Sequence, residues 1–131
     1  MTELTFSRTG ICRIALEGMP KPREIEGLIE SYVREVELLP DPLKVIFLDI
    51  SKLDHMQVKT RKFFSGLLIE AGRHYAGHVK VVIAGGPPMI RKFTEIMCKA
   101  SKFGDNIYCF ETSQEAKDWT RDLLLSGVRN E

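Results

Sequence analysis

The segment KVIFLDI carries four consecutive apolar side chains at residues 45–48, with no polar residue among them. A strand with one wet face alternates polar and apolar residues. A strand without alternation is covered on both faces, as in a parallel sheet flanked by helices. VKVVIA, residues 79–84, reads as a second buried strand. Between the two, Phe63, Phe64, Leu67, Leu68, Ala71 and Tyr75 fall on one helical stripe. Strand, helix and buried strand in that order form a right-handed crossover unit, which commits the chain to an α/β architecture.

The flanking sequence extends this pattern. Leu4 and Phe6, then Cys12, Ile14 and Leu16, alternate with polar or small residues on either side of Thr9-Gly10, which predicts an N-terminal hairpin. GMPKP breaks the second strand, and Pro22 suits a first helical turn. Ile25, Leu28, Ile29, Tyr32, Val33, Val36 and Leu39 line that helix until LPDP ends it. Asp54 and Gln57 are spaced as a capping box for the next helix, and Gly77 marks its stop. GGPP starts a third helix, lined by Met89, Phe93, Ile96, Met97 and Ala100 and stopped at Gly104. Residues 107–110 form the last strand. Thr112 and Glu115 make a cleaner capping box for a last helix, from which Ala116, Trp119, Leu123 and Leu124 point inward. The expected order is β-β-α-β-α-β-α-β-α, a mixed and mostly parallel sheet in a single domain, residues 1–131, frayed only at SGVRNE.

Charge and composition narrow the function classes. Nineteen basic residues face eighteen acidic ones, so the basic excess of a nucleic-acid-binding protein is missing. No apolar run approaches the ~20 residues of a membrane span, and the N-terminus lacks a signal-peptide layout. Cys12, Cys98 and Cys109 form no CxxC pair, which argues against a disulfide framework or a zinc site and for a reduced, cytoplasmic setting. Cys12 and Cys109 lie in strand patterns and read as small buried hydrophobes. Met56, Met89 and Met97 read as core or gap fillers. His74 and His78 are four apart, but with Gly77 between them and only His55 besides, they make a poor metal site. Neither a nucleophile elbow nor a catalytic triad can be assembled, Glu35 and Glu37 belong to a solvated helix face, and no enzyme activity, metal or cofactor is expected.

VIFLDISKLDHM, VKVVIAGG and IYCFETSQEAKDW, in this order and spacing, resemble the STAS superfamily, in particular SpoIIAA-like (STAS/SEC14-type) bacterial proteins of uncharacterised function. The resemblance covers nearly the whole chain. It implies a SpoIIAA-like fold and recognition of a protein partner in regulation. Anti-sigma-factor antagonists of this superfamily read D-L-S-x-V-x-x-x-D-S-S-G, with the first serine of D-S-S-G as phosphate acceptor. Aligned on Asp49-Ile50-Ser51, this chain carries Gln57, Val58, Lys59 and Thr60 there. Valine has no hydroxyl, so in this register the switch is lost while its frame remains. Ser51 and Thr60 lie near the same junction, with Lys59, Arg61 and Lys62 able to pair with added charge. The plainer reading has Ser51 bonding the loop backbone and Thr60 as a first-turn residue. A receiver-type phosphoaspartate at Asp49 is discarded, because only one carboxylate, Glu17, ends the earlier strand and Ala84 stands where a Ser or Thr is usual. Asp49 reads instead as a loop-ordering residue.

In open α/β sheets, ligands and partners meet the carboxyl ends of the strands. The candidate binding residues are therefore Asp49, Ser51, Asp54, Thr60, Arg61, Gly85, Gly86, Arg91 and Thr112. Backbone N–H groups at Gly85-Gly86, with Arg91 close by, suit a small anion, although two following prolines remove donors and a turn role is the default. Two helix N-termini there favour an acidic partner, and a homodimer is compatible with the pattern. The alternative function is carriage of a small or lipidic ligand, as the SEC14-like side of the resemblance implies, in a pocket between the second and third helices lined by Phe63, Phe64, Phe93 and Met97.

Overall fold

The computed structural model describes residues 2–39, 42–75, 79–103 and 106–129. The helix stops expected at Gly77 and Gly104, and His78, lie outside the described residues. Among the described residues, five strands and four helices follow in the expected order: β1 Glu3–Phe6, β2 Ile11–Gly18, α1 Pro22–Val36, β3 Val45–Leu53, α2 Val58–Tyr75, β4 Lys80–Ala84, α3 Pro88–Cys98, β5 Ile107–Phe110 and α4 Ser113–Arg129. A π-helical turn, Lys99–Phe103, extends α3. The sheet runs β1-β2-β3-β4-β5, antiparallel between β1 and β2 and parallel thereafter.

That strand order dictates where the helices lie. Each parallel strand is followed by its immediate neighbour, always on the same side. Right-handed crossovers advancing in one direction put every connecting helix on the same face. Accordingly Cys12, Ile14, Leu16, Ile46, Leu48, Ile50, Val81 and Ile83 pack in one cluster with Ile25, Leu28 and Tyr32 of α1, Phe64, Leu67 and Leu68 of α2, and Met97 and Cys98 of α3. Helix α4 follows the last described strand and folds back over the opposite face. There Ala116, Trp119 and Leu123 pack on Val45, Phe47, Val82, Ala84 and Phe110. Three helices cover one face and one helix the other.

Three local expectations need correction. Strand β3 does not end at Ile50; it pairs with β2 as far as Gly18 opposite Leu53, past a register shift between Ala15 and Glu17. Asp49 and Ser51 are therefore strand residues, not loop residues. The Asp54–Gln57 capping box does not form, because α2 begins only at Val58. The Asp54 and His55 N–H groups donate instead to the Gly18 carbonyl at 2.9 and 3.3 Å, and the Gln57 carbonyl accepts the Arg61 N–H at 2.9 Å. Cys109 is exposed on β5, whereas Cys12 and Cys98 are buried. A four-residue edge strand leaves one side of its backbone and alternate side chains without cover. The capping box at α4 forms as expected, with the Glu115 N–H donating to Thr112 Oγ1 at 3.1 Å.

Candidate functional site

The sheet's pleat separates the candidate residues into two groups. Val45, Phe47 and Asp49 point toward the α4 face, and Ile46, Leu48 and Ile50 toward the three-helix face. On the α4 side, Asp49 is buried and fully engaged. Arg13 Nη2 of β2 donates to its Oδ2 at 2.7 Å, and the Ser51 hydroxyl and N–H donate to its Oδ1 at 2.5 and 3.1 Å. Burial alone would raise the Asp49 pKa. The Ser51 bonds and the Arg13 guanidinium outweigh it and hold the carboxyl below its ordinary range. Arg13 also reaches Glu3 at 3.6 Å. Ser51 thus bonds the Asp49 side chain rather than a loop backbone, and Asp49 ties the adjacent strands β2 and β3 together within their paired length.

On the helix side, Thr60 is completely buried and donates its hydroxyl to the Pro20 carbonyl at 3.1 Å. It is the first-turn residue expected, and it also ties the start of α2 to the segment leading into α1. Arg61 Nε donates to the Met56 carbonyl at 3.0 Å, and its guanidinium lies 5.3 Å from the centre of the Phe93 ring. This cation–π contact joins the first turn of α2 to the middle of α3. Arg61, Met56, Met89, Ile90 and Phe93 enclose a cleft of about 200 Å³.

Gly85 and Gly86 have φ of +72° and +80°. A Cβ on Gly85 would meet Ser51 Cβ at 2.8 Å, and one on Gly86 the Ile50 carbonyl oxygen at 2.8 Å. These glycines let the β4–α3 turn lie against the end of β3. Arg91 Nη1 donates to the Gly85 and Gly86 carbonyls at 3.4 and 3.2 Å. The turn thereby presents its carbonyls to its nearest cation. Gly85 N–H is spent on the Phe110 carbonyl at 2.9 Å, which also draws the ends of β4 and β5 together. The Thr112 hydroxyl is occupied by its cap and by Glu115 Oε1 at 3.1 Å. Asp54 is exposed in the turn before α2.

Sequence reasoning missed the apolar part of this edge. Met19 after β2, Val58 opening α2 and Met89 in the first turn of α3 are 59%, 68% and 86% exposed. Met89 is therefore not a core filler, while Met56 and Met97 are buried. Each of the three sits where a crossover begins, at the carboxyl end of a strand. A signal was available for two of them: Met19 precedes Pro20 and Val58 precedes the α2 stripe, both outside any periodic pattern, whereas Met89 falls on the α3 stripe and only the structure shows it exposed. Phe63 and Phe93 line different clefts, and Phe64 and Met97 are buried in the core against which both pack. Phe63 lies in clefts with α1 residues such as Ile29 and Glu26, and Phe93 faces Arg61. Among the described residues no three His, Cys, Asp or Glu side chains could hold a metal ion, and no helix is long and apolar enough to cross a membrane.

No family model matches the sequence, and no curated protein matches it. Solved structures do. The anti-sigma factor antagonist SpoIIAA in its unphosphorylated form superposes with a TM-score of 0.64 at 18% identity, over 92% of this chain and 98% of that one. The phosphorylated form of the Bacillus cell fate determinant SpoIIAA gives 0.61 at 18% identity, over 92% and 99%. An uncharacterised DUF3478 protein with a SpoIIAA-like fold from Shewanella loihica PV-4 gives 0.59 at 19% identity, over 91% of each chain. The chain has the SpoIIAA-like, STAS-type fold.

Proposed function

We propose that this protein is a non-enzymatic, STAS-like regulatory module that binds a protein partner through the carboxyl edge of its sheet, without a phosphoserine trigger at the start of α2. The fold is shared with SpoIIAA, an anti-sigma factor antagonist known in unphosphorylated and phosphorylated forms. The observation that carries the reading is the exposure of Met19, Val58 and Met89 at successive crossover starts. Large apolar side chains exposed along one edge of a sheet favour a partner, and methionine adapts to the shape it meets. Val58 opens α2 with no hydroxyl, in the register where the resemblance puts the acceptor serine. Thr60 cannot replace it, since its hydroxyl is buried against Pro20. Lys59, Lys62 and Arg61 line clefts beside these anchors, and no acidic residue stands in the first turn of α2. A partner segment with apolar anchors and carboxylates fits this edge. The free thiols of Cys12, Cys98 and Cys109 suit a reducing compartment such as the cytoplasm.

The test is quantitative cross-linking and co-purification of the wild type, the Val58→Asp/Met89→Glu double variant, and a Leu38→Glu control. Leu38 is 77% exposed but follows α1 at the opposite edge. Loss of one partner set in the double variant alone is expected. Equal capture by all three proteins would refute the surface.

A further inference from the structure

The lone helix on the second sheet face leaves a cleft that its own side chains do not fill. Helix α4 packs Ala116, Trp119 and Leu123 over β3, β4 and β5. Its neighbouring stripe, Lys117, Thr120, Arg121 and Leu124, overhangs β2 and β3 at helical spacing. Between that stripe and Ile11, Arg13 and Phe47 of the sheet lies a cleft of about 310 Å³. This is at the lower end of the ~300–1,000 Å³ typical of small-ligand sites.

We propose that this cleft binds a small amphiphilic carboxylate, an aromatic or medium-chain aliphatic acid, with its apolar body between α4 and the sheet and its carboxylate at the rim. The walls select the body. Ile11, Phe47 and Leu124 are apolar, and the one hydroxyl in the lining, Thr120 Oγ1, is turned away into the Ala116 carbonyl at 2.8 Å. A sugar or nucleobase would find no partner for its polar edges there, and its desolvation would go unmatched. The rim selects the head group. Arg13, Lys117 and Arg121 are the charged residues of the lining, and all are cations. Arg13 is held in place by Asp49. Among the described residues, Arg121 has only long, exposed contacts to Asp118 and Asp122 at 3.6 and 3.8 Å. Lys117 has no carboxylate partner among the described residues. Lys117 and Arg121 stand one turn apart on α4, a like-charge pair that a bound anion would relieve. This site lies on the face opposite to Arg61 and Phe93 and is independent of the partner-binding edge.

The probe is decanoate, with decanol as its neutral counterpart, titrated into the full chain while amide and methyl NMR shifts are followed. The expected result is saturable binding with half-saturation below about 1 mM. Shifts should cluster on Ile11, Phe47, Thr120 and Leu124, with a change in fluorescence of the single tryptophan, Trp119, on the adjoining stripe. The Lys117→Glu/Arg121→Glu variant should bind decanoate at least tenfold more weakly and decanol within twofold of wild type. Mapping on the wild type needs no variant to fold. The proposal is overturned by absence of saturable binding, by shifts centred on Met56 and Phe93, by equal loss of decanoate and decanol, or by self-association through this cleft.

Discussion

Gly85 and Gly86 show how much of this edge rests on single backbone positions. Both are in the left-handed region, and a Cβ on either would enter the end of β3 at under 3.0 Å. The atoms in the way at Gly85 are the Cα and Cβ of Ser51, which cannot swing aside. Gly85→Ala should cost about 2–4 kcal/mol in urea unfolding, whereas a turn merely tolerant of glycine would lose less than about 1 kcal/mol. Asp49 gives a pH-dependent counterpart. Its folded pKa is depressed, so the stability it contributes is fully present above the unfolded carboxylate value near ~3.9 and is lost as pH falls through the lower folded value. Asp49→Asn should destabilise by about 2 kcal/mol at neutral pH, and the gap to wild type should narrow as pH falls through the depressed folded value, below the ordinary carboxylate range. A gap independent of pH would show that charge is not the cause. Cys109 illustrates the opposite direction. Partial desolvation, and then donation to Glu95 Oε2 at 3.0 Å, push its thiol up to about 12. Although exposed, it should alkylate slowly with iodoacetamide at pH 8, and Glu95→Gln should speed the reaction severalfold.

At the scale of elements, the tie from Thr60 to Pro20 fixes α2 against the start of α1. Thr60→Val keeps the shape but leaves a buried carbonyl without its partner, so a loss of about 1–2 kcal/mol is expected. Kinase treatment of the native fold followed by phosphosite mapping should find Thr60 unmodified, since its hydroxyl reaches solvent only on unfolding. Strand and helix identities were legible because each buried element repeats one period. The unbroken run at 45–48 announced two covered faces, and the stripes of α1 and α3 announced helices. What failed were boundaries and partners. Nothing local says that β3 continues through Lys52, because that continuation depends on pairing with Glu17 and Gly18 thirty-five residues earlier. The Asp54–Gln57 spacing mimics a cap, but tertiary bonds to Gly18 claimed that backbone first. Arg61 and Arg91 were singled out for their charge. Their actual partners, a methionine carbonyl, an aromatic ring and two glycine carbonyls, come from packing that spacing does not encode.

For the whole molecule, sequential right-handed crossovers concentrate the core on one side. The three-helix cluster contains most of the large buried side chains, including Tyr32, Phe64, Phe103 and Leu67. The α4 cluster holds five buried residues, two of them alanines, and relies on partly exposed partners. Its main anchor is Trp119, whose ring centre lies 4.5 Å from that of Tyr108 and 5.6 Å from that of Phe110 on the edge strand β5. Stability should therefore be divided unequally, with α4 opening at a lower free energy than the sheet and the other helices. Native-state hydrogen exchange should show α4 amides exchanging well before those of β3 and α2. Trp119→Ala removes the aromatic contacts and should lower the opening free energy of α4 by about 2–3 kcal/mol, while β2, β3 and α2 change by less than about 0.5 kcal/mol below the global limit. If α4 and the central sheet instead exchange together in the wild type and fall together in the variant, the two faces form one cooperative unit. The division of the core drawn from strand order would then have no energetic counterpart.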